Sequence, residues 1–148
     1  MAGYEDYYAP GQLTIDNIIA THNWLMHELT KGLEPYEITL SQYRVLQLLA
    51  QTHPDHLTVT QIGERLIDRT PDVTRLLDRL SKQAYILRNR AAHDKRIVEV
   101  RITEKGVVVL KNASKPLEVT IERLSGALNN VEHHLLVDYL ERLRREPL

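Results

Sequence analysis

The chain has 148 residues, 43% of them hydrophobic, which is enough for one real core or a small core with extensions and excludes general disorder. It has no cysteine, so disulfides, thiolate nucleophiles, thiol redox sensing and cysteine-ligated metals are excluded together. The net charge is −1, but residues 69–101 hold nine Lys/Arg against four Asp/Glu, leaving ten against sixteen elsewhere: a basic segment on an acidic body.

Residues 1–11 place Tyr4, Tyr7 and Tyr8 among acidic residues and end in Pro10-Gly11, which predicts a loose arm. This stretch is too acidic for a signal peptide, and no apolar run reaches membrane-spanning length, so a cytoplasmic protein without membrane contact is expected. Over residues 13–31, Ile15, Ile18, Ile19, Leu25, Met26 and Leu29 fall at helical spacing, and Gly32 is the expected stop. Thr39-Leu40-Ser41-Gln42 is a capping-box pattern opening a helix that reaches Thr52, and His53-Pro54-Asp55-His56 is a loop. Thr58-Val59-Thr60-Gln61 is a second capping box, opening a short helix with Ile62, Leu66 and Ile67 turned inward.

A tight turn at Ile67-Asp68-Arg69 leads to the central helix, residues 70–82, with Thr70 as N-cap and Pro71 at the first helical position. Val73, Leu76, Leu77 and Leu80 form its apolar stripe. The other face carries Asp72, Thr74, Arg75, Asp78, Arg79 and Lys82, a polar side suited to major-groove entry. Two short helices joined this closely are a helix-turn-helix arrangement. Residues 85–90 and 96–102 then alternate with period two around the polar tip Ala91-Ala92-His93-Asp94-Lys95, which predicts a two-stranded basic hairpin. A hairpin after a reading helix reaches DNA backbone and minor groove where the helix cannot.

From Thr103 onward, Val107, Leu110, Ser114, Leu117, Ile121, Leu124 and Leu128 make a coiled-coil-like seam with one polar position, Ser114. Pro116 lies inside it, so one helix kinked near residues 112–115 is expected. Asn129-Asn130-Val131-Glu132 caps a last helix carrying Leu135, Leu136, Tyr139, Leu140 and Leu143. The helices at the two ends are more apolar than one small lobe can cover, which points to a two-fold homodimer.

The order and residues resemble the MarR family of bacterial transcription regulators, from about Leu13 to the end of the chain. The resemblance is carried by the segments at residues 57–66 (Leu-Thr-Val-Thr-Gln-Ile-Gly-Glu-Arg-Leu), 73–80 (Val-Thr-Arg-Leu-Leu-Asp-Arg-Leu), Asp94-Lys95-Arg96 and Ile102-Thr103-Glu104-Lys105-Gly106. It implies a mainly α fold with a small two-stranded β-wing. The winged helix-turn-helix lobe would span residues 39–103 within one domain of residues 12–148, and residues 12–33 and 104–146 would supply dimerisation helices.

It further implies a repressor that binds pseudo-palindromic double-stranded DNA and is released by a small-molecule effector. Asp72, Thr74 and Arg75 are then expected at base edges. Arg79, Lys82, Arg88, Arg90, His93, Lys95 and Arg96 are expected on phosphates or in the minor groove, and Thr70 is a further DNA-binding residue. The family usually carries Asp-Arg-Arg at the wing tip, where the aspartate braces a minor-groove arginine. Here Asp94 is the brace and Lys95, which lacks the planar fork, stands in the arginine's place. Asp72 faces phosphates, and either accepts from a cytosine amine or pairs with Arg69 or Arg75. His22, Trp24, Met26 and Tyr43 are cleft candidates for the effector by helix position, and core residues by the same token.

Other chemistry has little to stand on. His22 and His27 are five apart, His133 and His134 are adjacent, and His53 with His56 is a loose set, so no metal site or other cofactor is expected. The glycines never cluster and no nucleophile elbow is present, so the chain does not read as an enzyme. A winged helix used only for protein assembly is the main alternative, with a metal-responsive regulator behind it.

Overall fold

The computed structural model describes residues 9–66 and 72–145. Six helices and a three-stranded sheet follow in the order α1 (Pro10–Leu33), a 3-10 turn (Glu34–Tyr36), α2 (Leu40–Thr52), β1 (Leu57–Thr58), α3 (Val59–Arg65), α4 (Val73–Lys82), β2 (Ile86–Arg90), β3 (Val98–Ile102), α5 (Glu104–Ser125) and α6 (Asn130–Arg144). Tyr4, Tyr7 and Tyr8, the turn Ile67-Asp68-Arg69 and the Thr70-Pro71 helix start lie outside the described residues.

Helix α1 starts earlier and ends later than the periodicity predicts. Pro10 occupies the first helical position, where no amide donor is needed, so the end of the predicted arm is helical. Gly32 does not stop the helix. Its neighbour Leu33 is fully buried, and burying a leucine (about 1.5–3 kcal/mol) outweighs the cost of a helical glycine (about 1 kcal/mol). The turn that follows closes at Glu37, in the left-handed region with φ 54°.

Both capping boxes form. Thr39 accepts from the Gln42 amide at 3.2 Å while Gln42 Oε1 accepts from the Thr39 amide at 2.9 Å, and Thr58 with Gln61 repeats both distances. Asn129 and Glu132 cap α6 in the same way, at 3.0 and 2.8 Å. Helix α4 begins later than predicted. Asp72 is its N-cap, its Oδ1 accepting from the Arg75 amide at 2.8 Å, and Val73 is its first residue. A charged carboxylate both fills the cap and meets the positive end of the helix dipole.

The sheet has order β1-β3-β2, all antiparallel, one strand more than the sequence reading. Leu57 pairs with Val100 and Thr58 with Glu99, a two-residue contact too short to leave an alternation in sequence. In the hairpin Ile86 faces Ile102, Arg88 faces Val100 and Arg90 faces Val98. Tyr85, Arg96 and Ile97, predicted within strands, lie just outside them.

Val45, Leu46, Leu49, Ile62, Leu77, Leu80, Ile86 and Val100 are fully buried and tie α2, α3, α4 and the sheet into one core, which α5 joins through Leu110, Ala113 and Leu117. Helix α5 runs without interruption through Pro116. Ser114, the polar position in its apolar seam, lies 3.0 Å from the Tyr43 hydroxyl and donates to Leu110 O at 2.8 Å, so both polar groups are satisfied at the core.

The exit from α4 is a Schellman turn: the Ala84 amide donates to Ser81 O at 2.9 Å and the Tyr85 amide to Leu80 O at 3.0 Å. It places Ala84 at φ 58°, a region that suits glycine. The left-handed penalty for alanine exceeds glycine's entropic cost, so Ala84→Gly is expected to stabilise the fold by about 0.5–1 kcal/mol. The thermal midpoint should rise by roughly 2–4 °C, and a midpoint that falls would contradict the turn.

Candidate nucleic-acid interface

Helix α4 buries Leu77 and Leu80 completely. On its opposite side Thr74, Asp78, Lys82, Arg75 and Arg79 fall within an arc of about 140° at 100° per residue. All but Asp78 are exposed. The N-terminal end of this face is already paired. Asp72 caps the helix through Oδ1 and meets Arg75 Nε through Oδ2 at 3.3 Å. The pairing of Asp72 with Arg75 expected from sequence is thus made, and Arg69, the other expected partner, lies outside the described residues. The carboxylate that would repel phosphate is thereby partly neutralised, and the Arg75 side chain remains 72% exposed.

The wing basic residues divide into braces and free ends. Arg88 Nη1 meets Asp78 Oδ1 at 2.7 Å, joining strand β2 to the polar face of α4. The sequence reading placed Arg88 on DNA and left Asp78 without a role. Nothing in sequence links two residues ten apart on different elements, and the sheet register makes the pair. Arg90 Nη1 donates to Lys95 O at 2.7 Å, bracing the tip from the far strand. Between α4 and the wing lies an open hollow of about 460 Å³, bounded by Thr74 and Leu77 on one side and Arg88 and Arg96 on the other.

At the tip Asp94 grips Arg96 three times. Its Oδ1 accepts from the Arg96 amide at 3.0 Å and from Nε at 3.1 Å, and its Oδ2 accepts from Nη2 at 3.0 Å. Asp94 is 29% exposed and Arg96 90% exposed, so the guanidinium is held by its base and presented outward. The brace therefore acts on Arg96, where the sequence comparison put Lys95. A bidentate planar fork has a geometric reason to settle on the guanidinium, which an ammonium cannot match. Hydrogen bonds from the Arg96 guanidinium, and then from the Arg96 backbone amide, hold the Asp94 carboxyl below its ordinary value. A depressed carboxylate keeps its contribution at neutral pH and loses it only as pH falls through that lowered value, so the clamp stays closed across the working range. Lys95 and His93 are exposed beside it.

The four effector-cleft candidates are not brought together. Tyr43 is in the core with its hydroxyl on Ser114, while His22 and Trp24 are exposed on α1. Met26 lines a shallow hollow of about 510 Å³ with His27, Thr30, Lys31 and Glu34, which contains none of the other three. Helical spacing alone could not separate these environments. Among the described residues no group of three or more His, Asp or Glu could hold a metal ion. His56 instead meets Glu99 at 3.1 Å, tying the loop before β1 to β3.

A sequence family described as transcriptional regulator SarA/Rot matches residues 29–113, more than half of the chain and the whole of the winged lobe. A MarR transcription factor from Planctomyces limnophilus is 30% identical, with TM-score 0.72 over 91% of this chain and 98% of that one. The chain is a winged-helix transcriptional regulator of the MarR/SarA family. This MarR/SarA-type chain is also similar to the HTH-type transcriptional regulator SarZ of Staphylococcus aureus, at 29% identity over 85 residues. That match covers 57% of this chain and little more than half, 56%, of SarZ. It shares its fold with a cysteine-to-serine variant of E. coli MarR solved with operator DNA, at 22% identity and TM-score 0.77 over 98% of this chain and 100% of that one. The family is one of transcriptional regulators rather than enzymes, and among the described residues no helix is long and apolar enough to cross a membrane.

Proposed function

We propose that this regulator is a homodimer that reads a pseudo-palindromic operator, represses transcription there and leaves the DNA when a small-molecule effector binds. The observation that carries the DNA reading is the clamped, outward-facing Arg96 beside the exposed Thr74, Arg75, Arg79 and Lys82 face of α4. A major-groove face and a rigid basic tip at one side of one lobe match the two grooves of B-form DNA. In this reading Thr74 and Arg75 meet base edges, with Asp72 beside them. Arg79, Lys82, His93 and Lys95 meet phosphate, and Arg96 enters the minor groove. Arg88 and Arg90 position the wing, and Thr70 is placed by sequence alone. The structure of the E. coli relative with operator DNA supports the same use of the fold.

The dimer rests on exposed surface. Accessible area is 11268 Å² for a chain of 17.1 kDa, where a compact monomer of that mass exposes about 7,800 Å². The excess carries Ile15 and Ile19 of α1, Val119 and Ile121 of α5 and most of α6, which buries none of its residues.

Selection of bound sequences from random duplex DNA tests the reading. The expected product is a palindrome with half-sites about one helical turn apart, and Arg75→Ala should relax preference at one position per half-site at a cost of ~1–3 kcal/mol. Selection that enriches nothing would leave a protein-assembly module as the better account. Release is tested separately: a phenolic compound that raises the unfolding midpoint should also weaken operator binding, and one that does the first without the second counts against release.

A further inference from the structure

The segment leaving helix α4 offers three consecutive carbonyl oxygens, and the first turn of α5 takes all of them. Lys105 Nζ donates to Gln83 O at 2.9 Å, Thr103 Oγ1 donates to Ala84 O at 2.7 Å, and the Thr103 amide donates to Tyr85 O at 3.0 Å. The Lys105 ammonium also sits 5.2 Å above the Tyr85 ring. Thr103 is itself the N-cap of α5, its Oγ1 accepting from the Gly106 amide at 3.0 Å. Gly106 permits the approach, since a Cβ there would lie 2.2 Å from Tyr85 O. The fourth partner is Gln83, the C-cap of α4. Its Oε1 accepts from Gln42 of α2 and its Nε2 donates to Glu37 O where α1 hands over to α2, both at 3.4 Å.

These bonds join the C-terminal end of one helix to the N-terminal end of another. Their common effect is directional. The C-terminal end of the reading helix is fixed to the first turn of a 22-residue helix, and that helix packs along α1. A cation at this place also meets the negative end of the α4 dipole.

We propose that Lys105, with Thr103 and Gln83, is a positioning group that sets the angle of the reading helix on α5 and so determines which separation of operator half-sites the dimer accepts. The proposal rests on the two-fold reader described above. Helix α5 carries the spacing of the dimer axis outward, and the junction converts it into the position of Arg75 and its neighbours. If the junction is loosened, each lobe pivots, and the two lobes no longer agree on one spacing. Binding to a single half-site is untouched, because the Thr74, Arg75, Arg79 and Arg96 contacts are built within the lobe.

The test compares wild type, Lys105→Met and Lys105→Arg on the selected operator and on versions with one base pair added or removed between half-sites. Methionine keeps the stem over Tyr85 and removes the ammonium. The expected result is that Lys105→Met lowers the preference for the native spacing by roughly three- to tenfold, less than a buried charge-assisted hydrogen bond would give because this one is exposed to solvent. Its affinity for an isolated half-site should stay within about twofold of wild type, and Lys105→Arg should restore the preference. An unchanged spacing ratio in a folded Lys105→Met protein overturns the proposal. So does an equal loss on all three spacings and on the half-site, which would make Lys105 a direct phosphate contact. A wild-type protein with no spacing preference overturns the two-fold reader and this proposal with it. Thr103→Val, which removes the same junction from the other residue, should move the ratio in the same direction.

Discussion

Arg96→Ala is expected to lower operator affinity by roughly 30-fold or more, which corresponds to a loss of ~1–3 kcal/mol at each of two half-sites. The size follows from how the side chain is prepared. Its amide, Nε and Nη2 are all held by Asp94, so the guanidinium gives up little rotamer freedom on meeting DNA. A narrow minor groove concentrates negative potential and favours an inserted arginine. Lys95→Ala makes the informative contrast. An exposed ammonium acts as a point charge on phosphate, so its loss should weaken all sequences alike and reduce the salt slope by about one per subunit. Arg96→Ala should instead reduce discrimination between A·T-rich and G·C-rich flanks. Binding titrations at several salt concentrations, on two flanking sequences, separate the two. Equal, salt-only effects from both substitutions would show that Arg96 lies on phosphate and not in the minor groove.

The fold was legible wherever a local rule acted without competition. Thr39, Thr58 and Asn129 cap the helices they open, because a capping box is a contact between residues three apart and sequence states it completely. The wing strands were visible as a period-two pattern. Residues answering to distant partners were not legible. Helix α1 passes through Gly32 because Leu33 is needed in the core, and β1 exists because Leu57 and Thr58 meet Val100 and Glu99. Helix α4 takes Asp72 as its cap although Thr70-Pro71 carried the stronger local signal.

The candidate interface divides along the same line. Which residues share the polar face of α4 follows from helical periodicity and could be read directly. Which of the basic residues are free to meet DNA could not, because charge alone does not distinguish Arg88, held by Asp78, from Arg79, which is exposed on the same side. The Asp94–Arg96 clamp was hidden for a smaller reason. Both Lys95 and Arg96 lie next to the aspartate, and only the hairpin geometry decides which of them it reaches. Lys105 was visible as part of a family segment with no function attached, since its partner, the Gln83 carbonyl, is a backbone atom that leaves no mark in side-chain pattern.

The other large effect is expected from α6. On the helical wheel Val131, Leu135, Tyr139, Leu143 and Leu136 share one side of about 140°, and each is 45% or more exposed. Helix α6 buries none of its residues within the described chain, and the one ring contact printed on this side is Arg142 of the same helix, 5.8 Å over Tyr139. In the dimer proposed above, a second copy of α6 with α1 would supply the matching apolar face by symmetry. The double substitution Leu135→Asp and Leu143→Asp puts two charges per subunit, four per dimer, into that seam. The expected product is a monomer of the chain mass, 17.1 kDa, by sedimentation at micromolar concentration. Its operator affinity should fall by roughly 10²–10³-fold, because the second half-site is no longer bound at the effective concentration that linkage provides. The winged lobe should keep its thermal transition, since the core residues Leu46, Leu49, Ile62, Leu77 and Leu80 lie on other elements. Half-site affinity then becomes the internal control. A double variant that remains dimeric with unchanged operator affinity would move the interface away from α6. A wild-type protein that sediments as a monomer would require another partner for the same apolar side. When, as expected, the monomer binds a half-site as well as wild type does and the full operator only weakly, reading and pairing are separate properties of separate elements, joined through α5.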